Sequence, residues 1–172
     1  FLADLGAEVI KVEEPGGEPG RANGLQPDGF SAYFEAHNRG KKSITLDLHY
    51  EEAREAVRRL VPQFDVVVEN FRPGVVDRLG CDEATLRGVR DDLVLVKSPG
   101  YGFSTEMASH PAFDPLLQAL GGVMDAQGGD VDPVFLTVPL HDVATPLIAA
   151  FGAVTALYHR QRTGIAQTVW TS

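Results

Sequence analysis

Cysteine is nearly absent: one residue, Cys81, in a chain of 172. A single thiol excludes an internal disulfide framework, and a reducing cytoplasm is the setting that fits best. With no cation cluster around it to lower its pKa, Cys81 reads as a packed or idle thiol rather than a nucleophile. Cations are also in the minority. Fifteen Lys and Arg against 24 Asp and Glu give a formal net charge of −9. Such a surface repels phosphates and argues against general nucleic-acid binding, while local basic sites can still take an anionic small molecule. The five histidines and one cysteine fall in no metal-binding spacing, neither HExxH nor paired CxxC, so no metal is expected. A GxSxG elbow and a Walker A loop are missing too. There is no signal-peptide pattern, internal repeat or low-complexity tract. No apolar run reads as a membrane span; the Ala-rich stretch after Asp142 comes nearest, but Thr145, Thr155 and its charged flanks favour a soluble core helix.

What remains is ordinary for a globular α/β protein, 44% hydrophobic and 23% charged, and long enough for one sizeable core in one domain. There is no initiator methionine. Residues 1–6 read as the last turns of a helix ending at Gly6, so the chain is expected to begin inside an element and to be a fragment.

Residues 8–13 (EVIKVE) alternate and are β-branched, the mark of a short strand. Helix end, glycine, strand and acidic residue make half of a Rossmann-like unit, in which Glu13 or Glu14 could hold a ribose hydroxyl or be merely solvated. Residues 15–30 read as a long Gly/Pro-rich loop, a surface excursion rather than a flap. The Arg39, Lys41, Lys42 cluster before the strand at 43–48 is either an anion site or a charged hairpin. Residues 51–60 form an amphipathic helix with Ala53, Ala56, Val57 and Leu60 inward. Residues 65–69 (DVVVE) read as a strand at the middle of a parallel sheet covered on both faces. The loop Asn70-Phe71-Arg72 then leaves its carboxyl end, where ligands of open α/β sheets bind. Pro73 opens a short helix carrying Arg78. Helices at 82–89 and 112–122 and strands at 92–97, 134–138 and 166–170 follow. The alternation points to α/β architecture with a Rossmann-like, largely parallel sheet and helices on both faces.

Residues 138–164 organise the rest. After Asp142 comes a long apolar helix with Leu147, Phe151, Val154 and Tyr158 at helical spacing and alanines filling the other faces. So apolar a helix is expected to be buried in the core or in a large subunit interface. Arg160 and Arg162 suit its negative end and Gly164 stops it. Asp142 reads as its N-cap, a role compatible with chemistry, because the positive end of a helix favours an ionised carboxylate and a carboxylate in a dry cleft can be a covalent nucleophile. His110 and His141 fall in loops and could be bases, but neither has an identifiable partner in the sequence.

The segments LADLGAEVIKVEEPGG, NRGKKSITLDL, DVVVENFRPGVVDRLG, AFDPLLQALGG and LHDVATPLIAAFGAVTALYHRQRTGIAQTV resemble the class III coenzyme A transferases, with α-methylacyl-CoA racemases as relatives. They run in the family's order along nearly the whole chain. The resemblance implies that residues 1–172 are the Rossmann-like CoA-binding and catalytic large domain, lacking its first strand and the C-terminal small domain, and inactive alone. It implies an acyl-CoA:carboxylate CoA transferase with Asp142 as nucleophile, forming an aspartyl-acyl anhydride and then an aspartyl-CoA thioester. Asp114 matches an acidic residue near that nucleophile. Leu46, Asp47, Leu48 and His49 match the segment lining the adenine pocket, Asn70, Phe71 and Arg72 the loop along pantetheine and nucleotide, and Arg78 an arginine near the CoA phosphates. Asp47 as a turn residue and Arg78 in a surface ion pair remain the bland alternatives. The resemblance further implies coenzyme A as acyl-CoA for the ligand, that thioester and a small carboxylic acid for partners, and an interlocked homodimer for the full-length protein; no metal, nucleic acid or membrane is expected.

Two positions depart from the pattern: Glu14 stands where some members have an adenine-stacking arginine, and His49 where some have lysine. Arg39, Lys41 or Lys42 would then supply the charge. In the racemases a histidine precedes the acidic residue matching Asp114. Here that position is Phe113, which cannot exchange a proton, so transferase is preferred over racemase or isomerase. The third reading is a non-catalytic CoA- or dinucleotide-binding module.

Overall fold

In the computed structural model, which describes residues 1–172 except for the side chain of Pro27, the chain forms two compact units, Phe1–Val57 and Arg58–Ser172. Both are α/β with parallel strand pairing.

The first unit opens with a helical turn. The amide of Ala7 bonds the carbonyl of Leu2, that of Gly6 bonds Ala3, and Gly6 takes a φ of 96°. This is the left-handed stop that a glycine makes without steric cost. Strand β1 (Ile10–Glu13) pairs in parallel with β2 (Lys42–Thr45), with Val12 opposite Ile44. Both strands are shorter than their alternating patterns suggest. Between them, residues 15–30 contain two 3-10 turns, Pro19–Ala22 and Pro27–Gly29, and helix α1 (Ala32–Asn38) follows. The sequence pattern did not reveal α1. Its cap is buried Ser31, whose Oγ accepts from the Phe34 amide at 3.0 Å and lies 2.9 Å from the Gly20 carbonyl, so the supposed surface loop is tied inward. Helix α2 (Glu51–Leu60) matches its expected bounds.

The second unit is built on β3 (Val66–Glu69), β4 (Val94–Lys97) and β5 (Thr168–Trp170), ordered β3-β4-β5 and all parallel. The centre is β4. Leu93, Val94 and Val96 are fully buried, whereas Val68 on β3 is 56% exposed. DVVVE is therefore an edge strand of this sheet: a continuous apolar run signals burial on two faces, but strand order is set by non-local pairing. Short helices α3 (Val75–Arg78) and α4 (Glu83–Val89) lead into β4, the latter capped by Asp82, whose carboxylate accepts from the Thr85 amide at 3.0 Å. Helices α5 (Asp114–Leu120) and α6 (Val123–Gly128) follow, α6 in a stretch to which the sequence pattern assigns no element.

No strand forms at 134–138. The backbone of Leu136 bonds instead to the Gln118 side chain, its amide donating to Oε1 at 2.8 Å and its carbonyl accepting from Nε2 at 3.3 Å.

The long helix α7 (Leu140–Thr163) packs on β4, β5 and α5. It is not buried all round. The covered face is made of Ala149, Ala153 and Ala156, while Leu147, Phe151, Val154 and Tyr158 are each at least half exposed. Small residues let the helix axis approach the sheet, so the bulky ones are turned away. By length and hydropathy α7 does meet the criterion for a membrane span, contrary to the sequence reading, with a mean hydropathy of 1.4; one face nonetheless lies on a sheet, as in a core helix. Its C-terminal end is pinned by Arg160, which bonds Asp65 at 2.7 Å and the Asp92 carbonyl at 3.0 Å, with Arg90 bridging the same two aspartates.

Gly152 marks the closest approach, since a methyl there would lie 2.6 Å from Val169 Cγ1. Gly152→Ala, which in an exposed helix gains about 1 kcal/mol, is expected here to destabilise by about 1–3 kcal/mol through overpacking. Thermal or urea unfolding checks this, and a raised melting temperature would contradict it.

Candidate functional site

Asp142 is the third residue of α7, and Pro139 is the N-cap, with no side-chain cap bond. The cap assignment made from sequence is therefore corrected. A Pro-Leu-His-Asp run starts its helix at the proline, whose φ of −71° suits entry into a helix. In the first turn an acidic side chain still faces the positive end of the dipole. The Asp142 side chain is exposed in this chain rather than held in a dry cleft. Pro146, one turn on, cannot donate to the Asp142 carbonyl four residues earlier.

The carboxylate that does serve the helix start is Asp114. It is 5% exposed and accepts from the His141 amide at 2.7 Å, from His141 Nδ1 at 3.2 Å and from Gln118 Nε2. Burial pushes the Asp114 carboxyl up, but these hydrogen bonds from His141 and Gln118 outweigh it and hold the group below the usual carboxylate range. His141 thus lies in the first turn of α7 and has a partner that the sequence did not disclose. The structure brings Asp114 next to the residue that precedes Asp142. Gln118, fully buried, is the member that motif reasoning missed. Its signal was present, because Asp114 and Gln118 are four residues apart and share one face of a helix whose other residues are apolar.

Asn70, Phe71 and Arg72 leave the carboxyl end of β3, all exposed. Glu69 shapes this loop by accepting from the Phe71 amide at 2.9 Å. Burial raises the Glu69 carboxyl, the Phe71 bond only partly offsetting it. Arg72 reaches the Ser109 carbonyl at 3.5 Å. Arg78 is exposed on α3, and its side chain makes no ion pair among the described residues, so the surface ion pair weighed from sequence is absent there. Nearby in the fold, Tyr101, Met107, His110, Pro111, Leu116 and Leu120 line an apolar recess of about 470 Å³. His110 belongs to that recess.

In the first unit, Leu46, Asp47 and Leu48 are half-buried and His49 is exposed just beyond the carboxyl end of β2. Arg54 of α2 fixes this segment by donating to the Leu48 carbonyl at 2.7 Å and the His49 carbonyl at 3.2 Å. Asp47 accepts from the His49 amide at 3.0 Å and its ring at 2.8 Å, which lowers the Asp47 carboxyl and makes it a turn former. Glu13 is neither solvated nor open to a ribose. It is 4% exposed, and Arg21 grips it at 2.9 and 2.7 Å while Ser43 donates at 2.6 Å. Glu14 is exposed. Of the basic cluster, Arg39 pairs with Asp4 at 2.9 Å and Lys42 with Glu8 at 2.6 Å. Lys41 bonds Asn38 at 3.0 Å, and desolvation lowers its amine. The cluster is largely neutralised within its own unit, which weighs against a ready-made anion site.

A parallel α/β chain with an aspartate in the first turn of its longest helix defines the class to compare with. The whole chain, residues 1–172, matches the model of CoA-transferase family III. The chain belongs to this family. Among curated relatives it is 41% identical to succinyl-CoA:mesaconate CoA-transferase of Haloarcula hispanica, over 100% of this chain and 46% of that protein. It is 40% identical to acetyl-CoA:oxalate CoA-transferase of Acetobacter aceti, over 95% of this chain and 43% of that one. The crystal structure of Rv3272 from Mycobacterium tuberculosis superposes with a TM-score of 0.92 at 37% identity, covering 99% of this chain and 49% of the other. A CaiB/BaiF family protein from Brucella suis gives 0.91 at 40% identity, covering 98% and 46%. The chain thus spans a little under half the length of the curated relatives named here.

The internal grip on Glu13 has a measurable consequence. Its carboxyl is held at about 2 against an ordinary 4.5, with the Arg21 hydrogen bond the leading cause. A depressed folded-state pKa gives stability that is complete above pH 4.5 and is lost as pH falls toward 2. Glu13→Gln is expected to cost about 2 kcal/mol at pH 7 and to flatten the acid limb of the stability curve in that window. Denaturant titrations at stepped pH are the check, and an unchanged acid limb would contradict the assignment.

Proposed function

We propose that residues 1–172 are the CoA-binding and catalytic large-domain part of an acyl-CoA:carboxylate CoA-transferase whose nucleophile is Asp142. On this reading the first strand and a C-terminal small domain lie outside the chain, and the part alone is inactive. The observation that carries it is the family match over the entire chain, with Asp142 in the first turn of α7 beside the buried Asp114–His141 pair.

An Asp142 carboxylate oxygen attacks the acyl-CoA carbonyl and the C–S bond breaks, leaving an aspartyl-acyl anhydride and CoA thiolate. The thiolate attacks the aspartyl carbonyl, expels the donor carboxylate and forms an aspartyl-CoA thioester. The acceptor carboxylate then attacks that thioester, and the same two steps in reverse return Asp142 and release the new acyl-CoA. Covalent catalysis splits one exchange into easier steps. The positive end of α7 favours the anionic side chain that must start the sequence. Leu46, Asp47, Leu48 and His49 line the adenine end of the CoA site, Asn70, Phe71 and Arg72 run along pantetheine and nucleotide, and Arg78 meets the phosphates.

The donor and acceptor are acyl-CoA and a small carboxylic acid, a class supported by relatives named for succinyl-CoA with mesaconate and acetyl-CoA with oxalate. No metal, nucleic acid or membrane takes part. The exposed apolar face of α7, with Phe151 74% and Tyr158 60% exposed, supports an interlocked homodimer of the whole protein, in the cytoplasm.

In the complete protein, hydroxylamine added with acyl-CoA should trap Asp142 as a hydroxamate seen by peptide mass spectrometry. Asp142→Asn should lower exchange by at least about a thousandfold, the scale of losing a covalent nucleophile. Undiminished exchange in that variant would refute the assignment. Solvent deuterium entering the acyl α-carbon without any acceptor acid would point to the racemase chemistry instead.

A further inference from the structure

Gln118 has no place in the chemistry above, yet it is fully buried and every hydrogen-bonding atom of its amide is engaged. Its Nε2 donates to Asp114 Oδ2 and to the Leu136 carbonyl, and its Oε1 accepts from the Leu136 amide. The two bonds to Leu136 settle which way the amide points, because a flipped amide would set oxygen against the Leu136 carbonyl and against Asp114. The side chain therefore holds two things at once. One is the irregular segment at Leu136, four residues before α7 begins. The other is the carboxylate that bonds the His141 amide and ring in the first turn of α7. Pro139 provides no side-chain cap, so this arrangement is what fastens the start of the helix from outside.

We infer that Gln118 is a positioning residue for Asp142, setting the entry and the first turn of α7 through Leu136 and Asp114 so that the Asp142 carboxylate meets the thioester carbonyl in reacting geometry. The inference rests on the reading of Asp142 as nucleophile. Small displacements of a nucleophile reduce the chemical step far more than binding. Gln118 touches neither substrate nor reacting atoms, so its effect falls on kcat and on the rate of anhydride formation, and leaves the binding of CoA, which the loops at 46–49 and 70–72 provide, nearly unchanged. The titratable groups facing it are Asp114 on its own helix and His141 on α7; the acid of α6, Asp125, is exposed.

The test uses the complete protein with Gln118→Leu, Gln118→Glu and Asp142→Asn. Gln118→Leu should lower kcat and the hydroxamate-trapping rate together by about 10- to 100-fold, with KM for acyl-CoA changed less than about threefold. Gln118→Glu keeps the shape but can donate to Asp114 only when the introduced carboxyl is protonated. Its kcat should therefore recover on acidification through the range where the unaltered protein is flat or falling. If Gln118→Leu does not fold, this pH profile decides alone. A Gln118→Glu profile parallel to that of the unaltered protein, or a folded Gln118→Leu with full kcat, would overturn the inference while Asp142→Asn stays inactive. An active Asp142→Asn would instead overturn the nucleophile reading, and this inference with it.

Discussion

A helix with almost nothing but alanine and glycine on its inner face must be held by its ends, and α7 is. At its C-terminal end Arg160 is locked to Asp65 and Asp92, which Arg90 also bridges. At its N-terminal end Asp114 takes the His141 amide. Between these points Ala149, Ala153 and Ala156 lie against the sheet, where the gain from dispersion and burial is modest per residue but the approach is close. The two charged fastenings set where along the sheet the helix sits, which small side chains alone would specify weakly. The position of Asp142 follows from the same constraint.

The buried polar residues are each answered within their unit. Glu13 has Arg21 and Ser43, Asp114 has His141 and Gln118, and Ser31 caps α1 while meeting the Gly20 carbonyl. Removing one partner of such a group costs more than the pair contributes, because the other is left desolvated and unsatisfied. Structural and chemical roles therefore meet in the same residues. The carboxylate that fastens the start of α7 does so through His141, the residue that precedes the candidate nucleophile.

Much of the α/β order was legible locally. Short-range patterns marked α2, α4 and all five parallel strands to within a few residues, because hydrophobic period and capping residues act over one or two turns. The misreadings share a cause. Residues 134–138 have strand composition, but their backbone partner is the Gln118 side chain rather than a neighbouring strand. DVVVE has central-strand composition but an edge position. Helix α1 starts from a cap that is completed by contacts back to Gly20, and no window of sequence around Ser31 contains them.

For the candidate site, the residues themselves pointed to Asp142 and to the loop at 70–72, whereas Asp114 and the segment at 46–49 were indicated only by the resemblance to the class III CoA transferases. Pairing was a different matter. That Arg21 silences Glu13, that Asp4 and Glu8 neutralise Arg39 and Lys42, that His141 has a carboxylate partner and that Asp114 rather than Asp142 caps α7 were decided only by the tertiary structure. The physical reason is range. A side chain's charge, size and helix or strand preference are properties of its own residue and near neighbours, whereas the partner that satisfies a buried donor or carboxylate comes from wherever packing brings the chain, here from 8 to 35 residues away.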